Sequence, residues 1–219
     1  MKKFFVFSVL CTFLLSMSSC IPDKITGSGS ITSENRTVSS TSFTEIRIEG
    51  SMNVNVKQGD SVKIVARDYA NLLPYLETRV SGNTLVIAYR DNAWLNNTQG
   101  EVTVTMPKLA NVELSGSGDV GTIGAFNFTD LGLSISGSGN FSFSGSAKNL
   151  NAKISGSGDI RAFDMPTENA TVKISGSGNI QVNVTRLLDA TISGSGDIVY
   201  KGAPSVNTSV TGSGRVKKF

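Results

Sequence analysis

A five-residue motif, Ser-Gly-Ser-Gly followed by Asp or Asn, recurs through the second half of the chain and constrains the fold more than any other feature. Its copies begin at Ser115, Ser136, Ser155, Ser175, Ser193 and, as Thr-Gly-Ser-Gly-Arg, at Thr211. Successive copies are 18 to 21 residues apart, and a period of that size is typical of repeat architectures. The segments between the motifs alternate apolar and polar residues and are rich in β-branched side chains. The sequence therefore predicts an all-β chain, folded as a single-stranded, right-handed parallel β-helix with one repeat per coil.

Side-chain alternation assigns the residues of each motif to an inner and an outer row. In the third copy, Ile154 and Ile160 share one parity with Gly156 and Gly158, so the isoleucines are expected to point inward. We expect the glycines to permit a bend at a coil corner, in a backbone conformation closed to other residues. The alternative is that they leave room for a facing wall of the coil.

The outer row of each motif ends in an acid or an amide. These residues form a column made of Asp119, Asn140, Asp159, Asn179 and Asp197, followed by Arg215. Neighbouring coils lie about 4.8 Å apart, and carboxylates stacked at that distance would repel one another. Asparagine between aspartates separates the charges and can form an amide ladder, and Arg215 offers a counter-charge. We favour a structural role for this polar ladder, which avoids charge repulsion, over a role in binding.

The N-terminus indicates export. Two lysines precede an apolar run, and small residues then lead to Cys20 in a pattern similar to the lipobox of bacterial lipoproteins, although Met17 replaces the usual leucine. We expect an exported cell-envelope protein, an outer-membrane lipoprotein that is lipidated on Cys20 and faces the periplasm or the cell surface. The predicted divisions are a signal peptide at 1–19, a polar tether at 20–42, and a β-helix at 43–219 with irregular coils at 43–111 and regular coils at 112–219.

Composition excludes several classes of chemistry. The chain has no histidine, and after cleavage Cys20 is its only thiol, so we expect no metal site, no cofactor and no cysteine nucleophile. The formal charge is +3, and removal of Lys2 and Lys3 with the signal leaves about +1, which gives no basic stripe for nucleic acid. We predict no catalytic residues. The alternative is a polysaccharide lyase or hydrolase that uses the ladder aspartates, although their expected separation of about 10 Å exceeds the 6.5–9.5 Å of an inverting pair.

The segment from Tyr89 to Gly100 interrupts the strand pattern and contains the only tryptophan. Trp94 could stack on a sugar ring while Arg90 and Asp91 bind its hydroxyl groups, because an aromatic face with polar edges suits carbohydrate recognition. Alternatively, the segment is an insertion whose tryptophan covers an end or a seam of the helix.

Several segments together resemble one known family. They are the lipoprotein-like signal, FTEIRIEGSMNVNVKQGD from Phe43, EVTVTMPKLANVELSGSGDV from Glu101, and the repeated motif. In this order they resemble the family described as putative auto-transporter adhesin, head GIN domain, over residues 40–219. The resemblance implies a β-helical protein of the cell surface or periplasm, and it brings no catalytic residues with it.

These observations favour an adhesin or carbohydrate-binding protein without catalysis. Its expected partners are glycans or host matrix proteins, and the membrane through the anchor at Cys20. The alternatives are the polysaccharide-active enzyme and a purely structural envelope protein. Strand edges near Phe219 would permit pairing between molecules, although Lys217 and Lys218 oppose it, so an oligomer stays open.

Overall fold

The computed structural model describes residues 24–91 and 93–219; the predicted signal and Cys20 lie outside them. The described residues form β-strands and one 3-10 turn, Leu73–Tyr75, where the sequence places Pro74. Among them, no helix is long and apolar enough to cross a membrane. The strands are β1 (Lys24–Thr26), β2 (Ile31–Arg36), β3 (Glu45–Gly50), β4 (Asn53–Gln58), β5 (Lys63–Tyr69), β6 (Leu76–Ser81), β7 (Thr84–Tyr89), β8 (Trp94–Asn96), β9 (Glu101–Met106), β10 (Asn111–Gly116), β11 (Asp119–Ile123), β12 (Phe126–Gly137), β13 (Asn140–Ser142), β14 (Gly145–Gly156), β15 (Asp159–Gly176), β16 (Asn179–Gly194), β17 (Ile198–Lys201), β18 (Ser205–Gly212) and β19 (Val216–Lys218).

The strands stack into a parallel β-solenoid of about five turns, which confirms the predicted fold class. One wall of the stack, here called the ladder sheet, contains in spatial order β2, β5, β9, β4, β11, β13, β15, β16, β17 and β19. Another wall, the second sheet, contains β6, β7, β3, β10, β12, β14, β15, β16 and β18. The long strands β15 and β16 belong to both sheets because they continue around a corner of the coil.

The repeated motifs lie in register. Ser155 pairs with Ser136 on one side and Ser175 on the other, and the same holds along the stack. The first glycine of every copy has a positive φ, as at Gly156 (+138°), so the predicted corner is confirmed there. The second glycine, such as Gly158, has no positive φ, but a Cβ on it would overlap the backbone carbonyl of Gly139 in the coil below. An added Cβ on the first glycine, such as Gly156, would also overlap the coil below, so the first position needs glycine for its conformation and for close approach, and the second for close approach alone.

The interior is filled with apolar side chains. Ile154 and Ile160 point inward as predicted, and the matching residues of the other coils form two buried inner ladders: Leu114, Ile135, Ile154, Ile174 and Ile192 in one, and Val120, Phe141, Ile160, Ile180 and Ile198 in the other. Midway along the stack, the rings of Phe126 and Phe128 stack with centroids 4.6 Å apart. Val210, the last rung of the first ladder, is 43% exposed because it lies in the final coil.

The early coils do not advance in chain order. The strands β3 and β4 form a coil inside the stack, because β10 pairs with one side of β3 and β7 with the other. The chain between β4 and β10 adds β7 and β9 on the side of this coil that faces away from the regular coils. The antiparallel strands β2, β5 and β6 close that end of the stack. Leu72 and Leu73 are buried beside this closure.

The segment 20–42, for which a polar tether is predicted, contains two strands within its described part. β2 pairs antiparallel with β5, from Ile31 opposite Tyr69 to Arg36 opposite Ile64. β1 pairs in parallel with β8 in a separate two-stranded sheet. The polar composition of this segment did not indicate strands. Both strands lie at the surface, where the backbone can pair without apolar side chains to bury.

Candidate functional site

The five predicted ladder residues lie in one row along the ladder sheet. Each follows the second glycine of its motif, and neighbouring strands place Asp119 beside Asn140, and Asp159 between Asn140 and Asn179. Asp197 continues the row, because its backbone N–H donates to Oδ1 of Asn179 over 3.1 Å. The row is parallel to the solenoid axis and faces outward.

Side chains in the row bind the backbone of the next coil. Oδ1 of Asn140 accepts the N–H of Asp159 over 3.2 Å, and Oδ1 of Asp159 accepts the N–H of Asn179 over 3.1 Å. Each amide also donates to the preceding acid: Nδ2 of Asn140 to Asp119 over 2.8 Å, and Nδ2 of Asn179 to Asp159 over 3.0 Å. The alternation of acid and amide therefore links the coils. An asparagine can donate to the acid of the preceding coil and accept from the backbone of the next, whereas a carboxylate can only accept.

Basic side chains balance two of the aspartates. Arg161 donates to Asp159 over 2.9 Å, and Nζ of Lys217 donates to Asp197 over 3.1 Å. The hydrogen bond from Lys217, with the N–H of Arg215, lowers the pKa of Asp197 below its usual value. The sequence pattern predicts Arg215 as the counter-charge at this end of the row. In the structure, Lys217 makes the direct ion pair.

The row extends into the irregular half, where the repeated motif does not predict it. Asn53 pairs in register with Glu101, and Oδ1 of Asn53 accepts the N–H of Asp119 over 2.9 Å. Glu101 then pairs with Arg67 over 3.1 Å. The full row, here called the polar row, is Arg67, Glu101, Asn53, Asp119, Asn140, Asp159, Asn179, Asp197 and Arg215. A signal was present, because EGSMN from Glu49 to Asn53 is a degenerate copy of the motif whose first glycine, Gly50, has a φ of +113°.

Two shallow depressions lie beside the polar row. The first, of about 440 Å³, opens where Gly121 and Ser142 carry little or no side chain, and Arg161 stands at its edge. The second, of about 300 Å³, is lined by Arg161, Gln181 and Lys217 together with the row residues Asp159, Asn179 and Asp197. Carboxylates, amides, two hydroxyls and cationic donors line them. Such surfaces can bind a polyol through many weak hydrogen bonds.

Trp94 and Arg90, which lie on one loop with Asp91, contact different neighbours. Trp94 is 53% exposed at the start of β8, where Nζ of Lys24 lies 5.9 Å from the ring centroid. Arg90 instead pairs with Glu77 over 3.0 Å, and its guanidinium lies 5.8 Å from the ring centroid of Tyr75. Asp91 is exposed. The arginine is therefore held by Glu77 and Tyr75, and the tryptophan lies beside Lys24.

A buried carboxylate holds the end of the same loop. Asp68 has no exposed surface, and it accepts hydrogen bonds from the Tyr89 hydroxyl over 2.6 Å and from the N–H of Gln99 over 2.9 Å. The N–H of Tyr69 supplies a third, over 2.7 Å. Burial, together with the bond to Asp68, raises the pKa of the Tyr89 hydroxyl well above its usual value. The network fixes both ends of the segment that carries Trp94.

The aspartates of the polar row are engaged in ways that do not suit acid–base catalysis. Asp119 and Asp159 stand two coils apart, about 10 Å, with Asn140 bonded between them. Asp197 has a lowered pKa, the opposite of what a general acid needs. Across residues 24–91 and 93–219, no three acidic, cysteine or histidine side chains are grouped as metal ligands.

The comparison with protein families agrees with this architecture. Residues 42–204 match the family described as putative auto-transporter adhesin, head GIN domain. The chain belongs to this family. No curated protein matches this chain.

Solved structures show the same fold for the head GIN domain. A putative adhesin from Bacteroides fragilis is 22% identical, with a TM-score of 0.75 over 89% of this chain and 100% of that one. A putative lipid-binding protein from Parabacteroides distasonis is 26% identical, with a TM-score of 0.56 over 90% and 100%. A putative adhesin from Parabacteroides merdae is 21% identical, with a TM-score of 0.57 over the same shares. The family suggests a protein of the cell surface or envelope.

Proposed function

We propose that this chain is an exported envelope protein, anchored by lipid on Cys20, that contacts neutral glycans through the ladder sheet. The observation that carries the proposal is the solvent-facing polar row with its two depressions. Sugar hydroxyls both donate and accept hydrogen bonds, and the row offers acceptors at its carboxylates, both kinds of group at its amides, and donors at Arg161 and Lys217.

The charge of this surface favours a neutral ligand. Its carboxylates are Glu101, Asp119, Asp159 and Asp197, and its cations are Arg67, Arg161, Arg215 and Lys217. Because four charges of each sign balance along the polar row and the lining of its two depressions, this part of the ladder sheet has no local excess of cations to attract a polyanion such as an acidic polysaccharide or nucleic acid. This argues for binding over the polysaccharide lyase that sequence analysis keeps as an alternative.

The adhesin name of the family supports surface contact, whereas the lipid-binding name of the Parabacteroides distasonis protein finds less support here. A pocket for an acyl chain would have to open inside the solenoid. In the described residues that interior is occupied by buried side chains, among them Phe126, Phe141 and Phe143. We therefore assign ligand contact to the outer face and lipid to the anchor only.

The test is retention of the purified chain on neutral and acidic polysaccharides and on host matrix proteins. Ser142→Trp should block the first depression, at a strand position where an aromatic side chain is well tolerated. Arg161→Ala should weaken binding about tenfold through the loss of a charged hydrogen-bond donor. Lys173→Ala is the matched control, because this exposed lysine lies on the second sheet.

Each result has a distinct meaning. Retention on neutral glycans that both ladder-sheet variants lose supports the proposal. Retention unaffected by either variant contradicts this location for the site. No retention on any surface would favour the purely structural envelope protein, and cleavage of a polysaccharide during the assay would favour the enzyme.

A further inference from the structure

The first strand that the structure describes lies very close in sequence to the proposed anchor. Lys24 opens β1 and lies four residues after Cys20, a distance of at most about 14 Å for an extended chain. A free tether over 20–42 would instead have a root-mean-square length of about 25 Å. The anchor and the first strand must therefore be near neighbours.

β1 is tied to the end of the solenoid and does not swing freely. Nδ2 of Asn71 donates to the carbonyl of Thr26 over 2.9 Å, and its Oδ1 accepts the N–H of Ser28 over 3.1 Å. Nδ2 of Asn97 donates to the carbonyl of Gly27 over 3.1 Å, and the N–H of Gly27 donates to the carbonyl of Asn96 over 2.9 Å. These bonds fix the two-stranded sheet of β1 and β8 against the β5–β6 connection.

The direction of this small sheet decides which side chains lie nearest the anchor. β1 and β8 are parallel, with Lys24 opposite Trp94 and Thr26 opposite Asn96. The starting ends of both strands therefore lie together, on the side from which the chain arrives from Cys20. Lys24 and Trp94 are both exposed there, while Ile25 and Leu95 on the other face are half-buried.

We infer that Lys24 and Trp94 form a contact with the membrane interface beside the anchor. This inference rests on the lipidation of Cys20 in the proposed function, and it concerns a different surface from the polar row. Tryptophan concentrates at the boundary between headgroups and acyl chains, because its ring is apolar and its N–H needs a polar partner. Lysine adds attraction to anionic headgroups. Asp91 lies nearby in sequence and is exposed, so the lysine charge is partly opposed.

The contact would also orient the domain. From β5, next to the small sheet, to β19 at the far end, the ladder sheet spans about 40 Å at the usual strand spacing. A solenoid held at both Cys20 and Trp94 has two points of attachment at one end. The polar row then extends away from the bilayer, where a ligand can reach it.

The only tryptophan of the chain reports on this contact directly. The full chain, exported and processed by a bacterial host, would be reconstituted into phosphatidylcholine vesicles with and without phosphatidylglycerol, with acyl chains brominated near the headgroup as quencher. We expect a blue shift and loss of Trp94 emission, larger with the anionic lipid. Lys24→Glu should remove the difference between the two lipid compositions.

A reporter at the other end supplies the control. The double substitution Trp94→Phe with Phe219→Trp moves the tryptophan to the far end, where Phe219 is 78% exposed, and its emission should not be quenched. Equal quenching of both reporters, or none of Trp94, overturns the inference. A change in Trp94 emission with soluble glycans but not with brominated lipid would also overturn it. Trp94 would then be a residue that stacks on sugar rings.

Failure of the anchor itself is detected separately. Phase partition between detergent and water, compared with Cys20→Ser, shows whether the chain carries lipid. A parent chain that stays in water refutes the anchor and the inference together. A parent chain that enters detergent while its Trp94 stays unquenched refutes the inference alone.

Discussion

The two halves of the solenoid build similar coils by different means. In the regular half, residues 112–219, each coil repeats a pair of glycines at the corner and one rung of the polar row. In the early half, residues 43–111, a degenerate motif, the ion pair of Arg67 with Glu101 and the buried Asp68 take their place. A repeat can set its register through backbone contacts that exclude side chains. The end of a stack needs side-chain contacts particular to each position.

The largest effect should come from the glycines of the regular half. In both Gly156→Ala and Gly158→Ala, the new Cβ would overlap a carbonyl of the coil below, so we expect a loss of about 3 kcal/mol or more of unfolding free energy. Gly124→Ala is the control, because Gly124 has a φ of +76° but nothing within 4 Å of an added Cβ. It should lose only about 1–2 kcal/mol, as expected for left-handed backbone alone.

Urea denaturation followed by circular dichroism measures all three variants. Gly158 is the informative one, since it lacks a positive φ. A Gly158→Ala variant as stable as the parent would show that the coils tolerate separation, and that only the corner conformation requires glycine.

In the early half, the corresponding weak point is Asp68. Asp68→Ala leaves three donors without their acceptor in a buried site, so we expect a loss of about 2–4 kcal/mol. Asp68→Asn keeps one acceptor oxygen and should lose less. Hydrogen exchange should show the 89–100 loop opening first, because the N–H of Gln99 depends on Asp68.

Asp91→Ala serves as control for this loop, because Asp91 is exposed, and its change should stay within about 0.5 kcal/mol. If Asp68→Ala unfolded no more easily than Asp91→Ala, the buried network would not be what closes the early end.

The alternation of the polar row predicts a charge effect confined to the regular half. Asn179→Asp would place a carboxylate between Asp159 and Asp197 and remove the Nδ2 donor to Asp159. We expect a loss of about 1 kcal/mol at pH 7, which shrinks at high salt or when the acids are protonated. Asn151→Asp is the control on the second sheet, where its register neighbours are Gly132 and Thr171. Equal losses of unfolding free energy in the two variants would show that charge repulsion within the polar row is not the cause.

The regular half could be predicted from the sequence because the same local strand pattern recurs in every coil. A period of 18–21 residues, the parity of Ile154 and Ile160, and alternating Asp and Asn each follow from one strand rule applied to every copy. The resemblance to the head GIN domain family pointed to the same fold, and the family match covers residues 42–204.

The early half was harder to predict because its contacts join distant residues. The pairing of β3 with β7 and β10 depends on where an excursion of the chain returns, and no local pattern specifies that. Glu101 and Arg67 enter the polar row from strands without the motif. The motif in Glu49–Asn53 was concealed because Met52 occupies the position of the second glycine.

The smallest effect should appear at the ion pairs near the two ends of the polar row. Lys217→Ala removes the partner of Asp197, and since this pair is exposed we expect a loss of a few tenths of a kcal/mol at pH 7. The pKa of Asp197 is lowered in the folded state, so this stabilisation is present above the unfolded value of about 3.9 and is lost as the pH falls through the folded pKa. Parent and variant should therefore have equal unfolding free energies once the pH lies well below the folded pKa of Asp197. Arg67→Ala at the early end should change less, because Glu101 keeps a hydrogen bond from Asn55 over 2.9 Å. A larger loss in Arg67→Ala than in Lys217→Ala would reverse the comparison and show that the early end depends on its ion pair more than on its buried network.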